Sequence, residues 1–299
     1  MALFTGSGVA LITPFTEKTE LEVNFEKIGE LIEWHIEQGT DAIIVCGTTG
    51  EAPTLPDDQH QEIIDFSVKR VNKRVPLIAG TGSNYTDHAV MMSRFAERAG
   101  ADGLLCVTPY YNRPTQKGLI ANYTTIADAV NIPIIMYNVP SRTGVNMQPA
   151  TVAELAAHKN IQGLKEASGN IAQVVEIARL VPDDFYIYSG DDAITVPIMS
   201  LKGKGVVSTA ANIIPRDMHD LTSLCLANKW HEACELQFKM KPLIDALFCE
   251  TNPVPAKTAL NLMGKDVGKT RLPLTDMEDK NLELLKRRMR EYGLIETGY

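Results

Sequence analysis

Eight short apolar runs alternate with amphipathic stretches over residues 1–228, and this alternation is what most constrains the fold. The runs fall at 8–12, 42–45, 76–79, 103–107, 133–137, 162–165, 185–188 and 205–207. Most are continuous in Val, Ile and Leu, as expected of strands buried on both faces of a parallel sheet. Helical periodicity is predicted at 24–38, 59–73, 86–99, 116–129, 149–158, 171–180, 193–201 and 216–228, with Gly39 and Gly100 as stops. Eight strand–helix units in this length predict an α/β fold of the closed (β/α)8 type, a TIM barrel over 1–228. A doubly wound open sheet would favour a glycine-rich phosphate loop after the first strand, whereas Gly6-Ser7-Gly8 comes before the predicted one. Residues 229–299 read as helices at 230–247, 254–263 and 279–292. They exceed what a barrel needs and predict a C-terminal helical domain.

The bulk properties narrow the function. A net charge of −8 without a basic patch argues against nucleic acid and anionic membranes as partners. No apolar stretch reaches the ~18 residues of a membrane span. The start, Met1 to Gly6, lacks the basic segment and apolar core of a secretion signal, so a cytoplasmic location is expected. Five cysteines without CxxC spacing fit a reducing compartment, and Cys46 and Cys106, inside strand-like runs, read as inert thiols. The six histidines never cluster with metal-ligand spacing, so no catalytic metal and no cofactor are expected.

The chemistry gathers at strand exits. Lys165 closes a buried run, where an ammonium loses hydration and desolvation favours the neutral amine that attacks carbonyls. Taken alone, such a lysine is more often one that snorkels to solvent. Three other strand exits carry polar segments: Gly47-Thr48-Thr49-Gly50-Glu51, Thr108 to Pro114 with Tyr110 and Tyr111, and Tyr137 to Gly144 with Arg142. Barrel closure would bring these ends together, where barrel active sites lie. Beside Lys165, Tyr137 would move protons through carbinolamine, imine and enamine. A phenol is a weak acid near neutral pH, so Thr48 and Tyr111 would help as a hydroxyl relay. Backbone N–H groups around Thr48 and Thr49 would hold a small carboxylate, and Arg142 a second one. Glu51 is expected to pair structurally.

These segments, with Gly163-Leu164-Lys165-Glu166-Ala167 and Ser189-Gly190-Asp191-Asp192, resemble the dihydrodipicolinate synthase family. That family lies in the class I aldolase group that also holds N-acetylneuraminate lyase. The resemblance runs from Phe4-Thr5-Gly6 to Leu272-Pro273. It implies that Lys165 condenses with pyruvate and that Tyr137, Thr48 and Tyr111 relay protons, with Tyr111 reaching in from a partner subunit. Thr48 and Thr49 would bind the pyruvate carboxylate and Arg142 that of aspartate semialdehyde, while Gly190 and Val207 line the pocket. A homotetramer built as a dimer of dimers is implied, in the lysine and diaminopimelate route. The alternative is another pyruvate-dependent aldolase or lyase acting on N-acetylneuraminate or a keto-deoxy sugar acid. Against it stands Ser141-Arg142-Thr143-Gly144, because a guanidinium suits a carboxylate better than sugar hydroxyls. A keto-acid sensor without turnover would need neither Lys165 nor Tyr137. Lysine-inhibited members bind lysine at positions matching Ala52, Pro53, Asp57, His60, Asn84, His88 and Tyr110. Sensitive members carry glutamate at the His88 position and histidine at the Asp57 position, so weak lysine feedback is expected.

Overall fold

The computed structural model describes residues 3–16 and 21–296. Met1 and Ala2, part of the start read for a secretion signal, and 297–299, at the end of the helical segment, lie outside it. The strands are β1 (Gly6–Ala10), β2 (Ala42–Val45), β3 (Leu77–Gly80), β4 (Gly103–Val107), β5 (Ile134–Asn138), β6 (Ile161–Glu166), β7 (Tyr186–Ser189) and β8 (Gly205–Ser208). Each pairs in parallel with the next, and β8 pairs back onto β1 to close the barrel. Helices α1 (Phe25–Glu37), α2 (Asp57–Val71), α3 (Thr86–Ala99) and α4 (Gln116–Asp128) follow the first four strands. After β5 come α5 (Pro140–Thr143) and α6 (Pro149–Leu155), and after the last three strands α7 (Ile171–Leu180), α8 (Thr195–Ser200) and α9 (Pro215–Leu226). The chain ends in α10 (Trp230–Leu247), α11 (Val254–Leu262) and α12 (Asp279–Tyr292).

The expected architecture is therefore present, with local differences. β1 begins at Gly6 rather than at residue 8, because Gly6, Ser7 and Gly8 pair with Gly205, Val206 and Val207 across the closing seam. A Cβ on Gly205 would sit 2.0 Å from the Gly6 carbonyl oxygen. The seam thus admits no side chain there, and the glycines are strand residues rather than a loop. Helix α5 was not expected, since four residues are too few for periodicity to register. The predicted helix at 193–201 starts as a 3₁₀ turn at Asp192–Ile194 before α8.

Two apolar cores result. Inside the barrel, Phe4, Ile44, Ile78, Leu105, Ile135, Tyr188 and Val207 fill the space beneath the mouth. Phe4 stacks on Tyr188 with centroids 4.4 Å apart and accepts its hydroxyl proton at the backbone carbonyl, 2.8 Å away, which plugs the amino-terminal end. A cavity opens at the carboxyl end, bordered by residues that follow β2, β3, β4 and β5. The larger core lies between strands and helices and runs on into α10, α11 and α12 through Met240, Leu247, Leu260 and Leu285. Helix α10 packs on α8 and α9, and α12 on α10 and α11. No helix among the described residues is long and apolar enough to cross a membrane.

Candidate active site

Parallel register decides what Lys165 faces. On β6 it pairs with Tyr137 of β5 on one side and Tyr188 of β7 on the other, so these side chains share the barrel interior. Lys165 is 5% exposed, and its Nζ lies 4.2 Å from the centroid of the Tyr137 ring. Among the described residues no carboxylate lies within ion-pairing distance of it. The next residue, Glu166, points the other way, as strand alternation requires. Its carboxylate accepts from Ser168 N at 2.7 Å and from Asn138 Nδ2 at 3.1 Å. Burial nevertheless pushes its pKa up. Glu166 therefore braces β6 against its neighbours and has no path to the amine.

Gly190 makes room for the lysine stem. A Cβ there would meet Ala167 Cβ at 2.8 Å and Lys165 Cγ at 3.0 Å. Val207, on β8, is buried in the same inner core as Tyr137. The loop after β2 folds tightly: a Cβ on Gly50 would lie 3.1 Å from both Cys46 N and Leu11 O. Thr49 is buried, and its hydroxyl meets Thr209 Oγ1 at 3.2 Å and Asn252 Nδ2 at 2.9 Å. That hydroxyl is already engaged, so what Thr49 has left to offer a ligand is its backbone N–H. Thr48 instead faces a cavity.

The cavity, about 470 Å³, brings together Thr48, Tyr137 and Arg142. Arg142 sits on α5, held through Nη2 to the Asn252 carbonyl oxygen at 3.1 Å. Ala52, Pro53, Asp57, His60, His88 and Tyr110 line the same cavity, so the candidate regulatory and catalytic residues share one opening in the single chain. Asn84 is not part of that wall; its carbonyl accepts from Asn112 Nδ2 at 2.8 Å. His88 Nε2 lies 2.9 Å from Asp57 Oδ1, and His60 Nε2 lies 2.8 Å from the Gly80 carbonyl oxygen. Burial lowers the pKa of His60. A neutral ring with its proton on Nε2 satisfies that carbonyl. Tyr111 stands apart: its backbone is left-handed (φ 71°), it is 90% exposed, and it does not border the cavity of its own chain.

Sequence reading missed four contributors. Gly80 and Gly82 form part of the cavity wall, where a Cβ would strike Cys46 O at 2.1 Å and Val107 N at 2.3 Å, respectively. Asn252 touches both Thr49 and Arg142. Lys257 is the partner foreseen for Glu51, with Nζ 2.6 Å from Oε1 and both side chains buried. Burial lowers the pKa of Lys257 to about 8, against the pull of Glu51. The Asn-Pro step at 252–253 signals a turn and nothing more, so no local pattern marks these residues.

A sequence profile of the dihydrodipicolinate synthetase family matches residues 3–291. The 4-hydroxy-tetrahydrodipicolinate synthase of Thermoanaerobacter sp. (strain X514) is 58% identical over 299 residues, covering all of both chains. The crystal structure of dihydrodipicolinate synthase from Aquifex aeolicus superposes with a TM-score of 0.95 at 45% identity, over 99% of this chain and 100% of that one. The enzyme from Cyanidioschyzon merolae, solved with lysine bound, gives 0.96 at 40% identity over 99% and 100%.

Proposed function

The chain belongs to the dihydrodipicolinate synthetase family, and from that premise we propose how its barrel mouth carries out the reaction. The activity is that of a lyase condensing pyruvate with L-aspartate 4-semialdehyde to 4-hydroxy-tetrahydrodipicolinate, in lysine and diaminopimelate biosynthesis. Lys165 attacks the keto carbon of pyruvate, and loss of water from the carbinolamine leaves an imine. Tyr137 shuttles the protons, and removal of one from the methyl group gives the enamine. The enamine carbon bonds to the aldehyde carbon, whose oxygen takes up a proton. The amino group of the semialdehyde portion then displaces Lys165 at the former keto carbon, closing the ring and freeing the amine. Thr48 and Thr49 hold the pyruvate carboxylate and Arg142 that of the semialdehyde, while Gly190 and Val207 shape the pocket. Thr48 and Tyr111 extend the relay from Tyr137, with Tyr111 supplied by a partner subunit.

One observation carries this reading: a buried lysine amine 4.2 Å from a tyrosine ring, with no carboxylate among the described residues paired to it. The exposure of Tyr111 supports its action in trans, within a homotetramer built as a dimer of dimers. We divide the chain into the barrel, 1–228, and the helical unit, 229–299, and we place it in the cytoplasm, where its five free thiols stay reduced. His88 Nε2 takes up one oxygen of Asp57, and a histidine stands where sensitive members carry glutamate, which supports weak lysine feedback. Half-inhibition by sub-millimolar lysine at saturating pyruvate would refute that part.

The central test is borohydride reduction after adding pyruvate. The intact enzyme gains the mass of one reduced pyruvate adduct at Lys165, and Lys165→Ala gains none and loses several orders of magnitude in turnover. Near-normal turnover by Lys165→Ala, or trapping at another residue, ends the Schiff-base mechanism. Coupled turnover with aspartate semialdehyde but not with N-acetylmannosamine excludes the sugar-acid lyase reading.

A further inference from the structure

Asn252 lies in the helical unit, just before α11, and is 6% exposed. It touches two parts of the mouth that are far apart in the chain. Its Nδ2 donates to Thr49 Oγ1 at 2.9 Å, 203 residues away in sequence, and its carbonyl oxygen accepts from Arg142 Nη2 at 3.1 Å, 110 residues away. It does not border the cavity that Thr48 and Arg142 line. Its side-chain Nδ2 and its backbone carbonyl are each engaged by a neighbour, so it acts through Thr49 and Arg142. We propose that Asn252 is a positioning residue for the condensation, setting the distance between the loop that receives the ketoacid carboxylate and the guanidinium that receives the second one. This rests on the reading of Thr48–Thr49 and Arg142 as the two carboxylate subsites.

The physical case is one of restraint. Arg142 is exposed and on a four-residue helix, so without a tether its long side chain would sample many rotamers. The bond to a buried backbone carbonyl selects one of them. On the other side, the Thr49 hydroxyl has two partners, Asn252 and Thr209, and Thr209 N is itself held by the buried Asp192 carboxylate at 3.1 Å. Fixing that hydroxyl fixes the adjoining backbone, whose N–H groups must point at an anion to bind it. The loop has a second, separate anchor in the Glu51–Lys257 pair, reinforced by Arg271 N donating to Glu51 Oε2 at 2.9 Å. The second anchor keeps the loop folded when the first is removed. Loss of Asn252 should then loosen geometry without unfolding the chain.

The experiment is steady-state kinetics on Asn252→Ala, Thr49→Val and the double variant, with pyruvate and aspartate semialdehyde each varied. Asn252→Ala is expected to raise the KM for pyruvate roughly tenfold, with a smaller fall in kcat and a thermal midpoint near that of the parent. Because both single variants remove the same bond, the double variant should raise the KM for pyruvate no further than the worse single one. Should Asn252→Ala fail to fold, Asn252→Ser, with a hydroxyl too short to reach Thr49, carries the same expectation. Unchanged KM for pyruvate in a folded variant, or additive effects in the double variant, overturns the proposal. So does activity that falls only in step with the folded fraction. Borohydride trapping by the parent enzyme separates this from failure of the mechanism itself: if the parent traps pyruvate at Lys165, a negative result concerns Asn252 alone.

Discussion

Among the described residues two lysines lie buried, and one of the two has a carboxylate against it. Lys257 is 2% exposed, packs its Nζ 4.1 Å from the Phe15 ring centroid and pairs with Glu51. Lys165 faces a tyrosine ring instead. The first is fixed in an ion pair; the second is the one that reacts in the proposed mechanism. Lys257→Met strands the Glu51 carboxylate and should cost about 3–5 kcal/mol of stability, whereas Glu51→Gln with Lys257→Met should recover most of it. Chemical denaturation of the three proteins checks this; equal stabilities would show the pair is idle. His35 offers a pH test. Fully buried beside Thr40, it has a pKa pushed by burial from 6.5 down to about 3. Between those values the unfolded chain binds a proton that the folded chain refuses, so stability falls as pH drops from about 6.5 toward 3. The slope is up to about 1.4 kcal/mol per pH unit. His35→Gln should flatten the pH dependence of the thermal midpoint; parallel curves would count against it.

The elements that shape the mouth are short, and their glycines act by what they leave out. Gly190 borders the Lys165 stem closely enough that Gly190→Ala must displace either Ala167 or the lysine. Kcat is expected to fall roughly tenfold or more, with slower borohydride trapping, because small misplacements of a reacting group are costly. A Gly190→Ala enzyme that traps pyruvate at the parent rate would show that the neighbouring backbone gives way freely. The loop carrying Tyr111 behaves differently. Asn112 ties it to Asn84, and Tyr111 and Arg113 both adopt left-handed backbone conformations. Held strain of this kind presents the ring outward instead of folding it home.

At the scale of the whole molecule, the role proposed for that outward tyrosine would make assembly part of the chemistry. Tyr85, 62% exposed, leads into α3 next to Asn84 and adds a second aromatic surface beside the Tyr111 loop. Aromatics of this size left in water are typical of surfaces that associate. If Tyr111 acts in a neighbour's site, Tyr111→Phe and Lys165→Ala chains, each nearly inactive alone, should complement when unfolded together and refolded. Half of the random pairs are mixed and hold one intact site of two, so about a quarter of the parental activity is expected. Recovery of none would place Tyr111 within its own chain's site or outside the chemistry. The helical unit also belongs to the working molecule, since its Asn252 and Lys257 grip the loop after β2.

The eight strand-and-helix units, the helices at 230–247 and 279–292, and the clustering of Lys165, Tyr137, Thr48 and Arg142 at strand exits were all legible from residue order. Such features depend on hydrophobic period and on steric rules acting over a few residues. Nothing of that range could show that Gly6 to Gly8 would form a seam with β8, that Lys257 would be the partner of Glu51, or that Asn252 would join Thr49 to Arg142. Those contacts join residues more than one hundred positions apart and exist only because the barrel closes and the last helices dock against its mouth. Local chemistry set the inventory of the site; closure of the fold decided which groups meet.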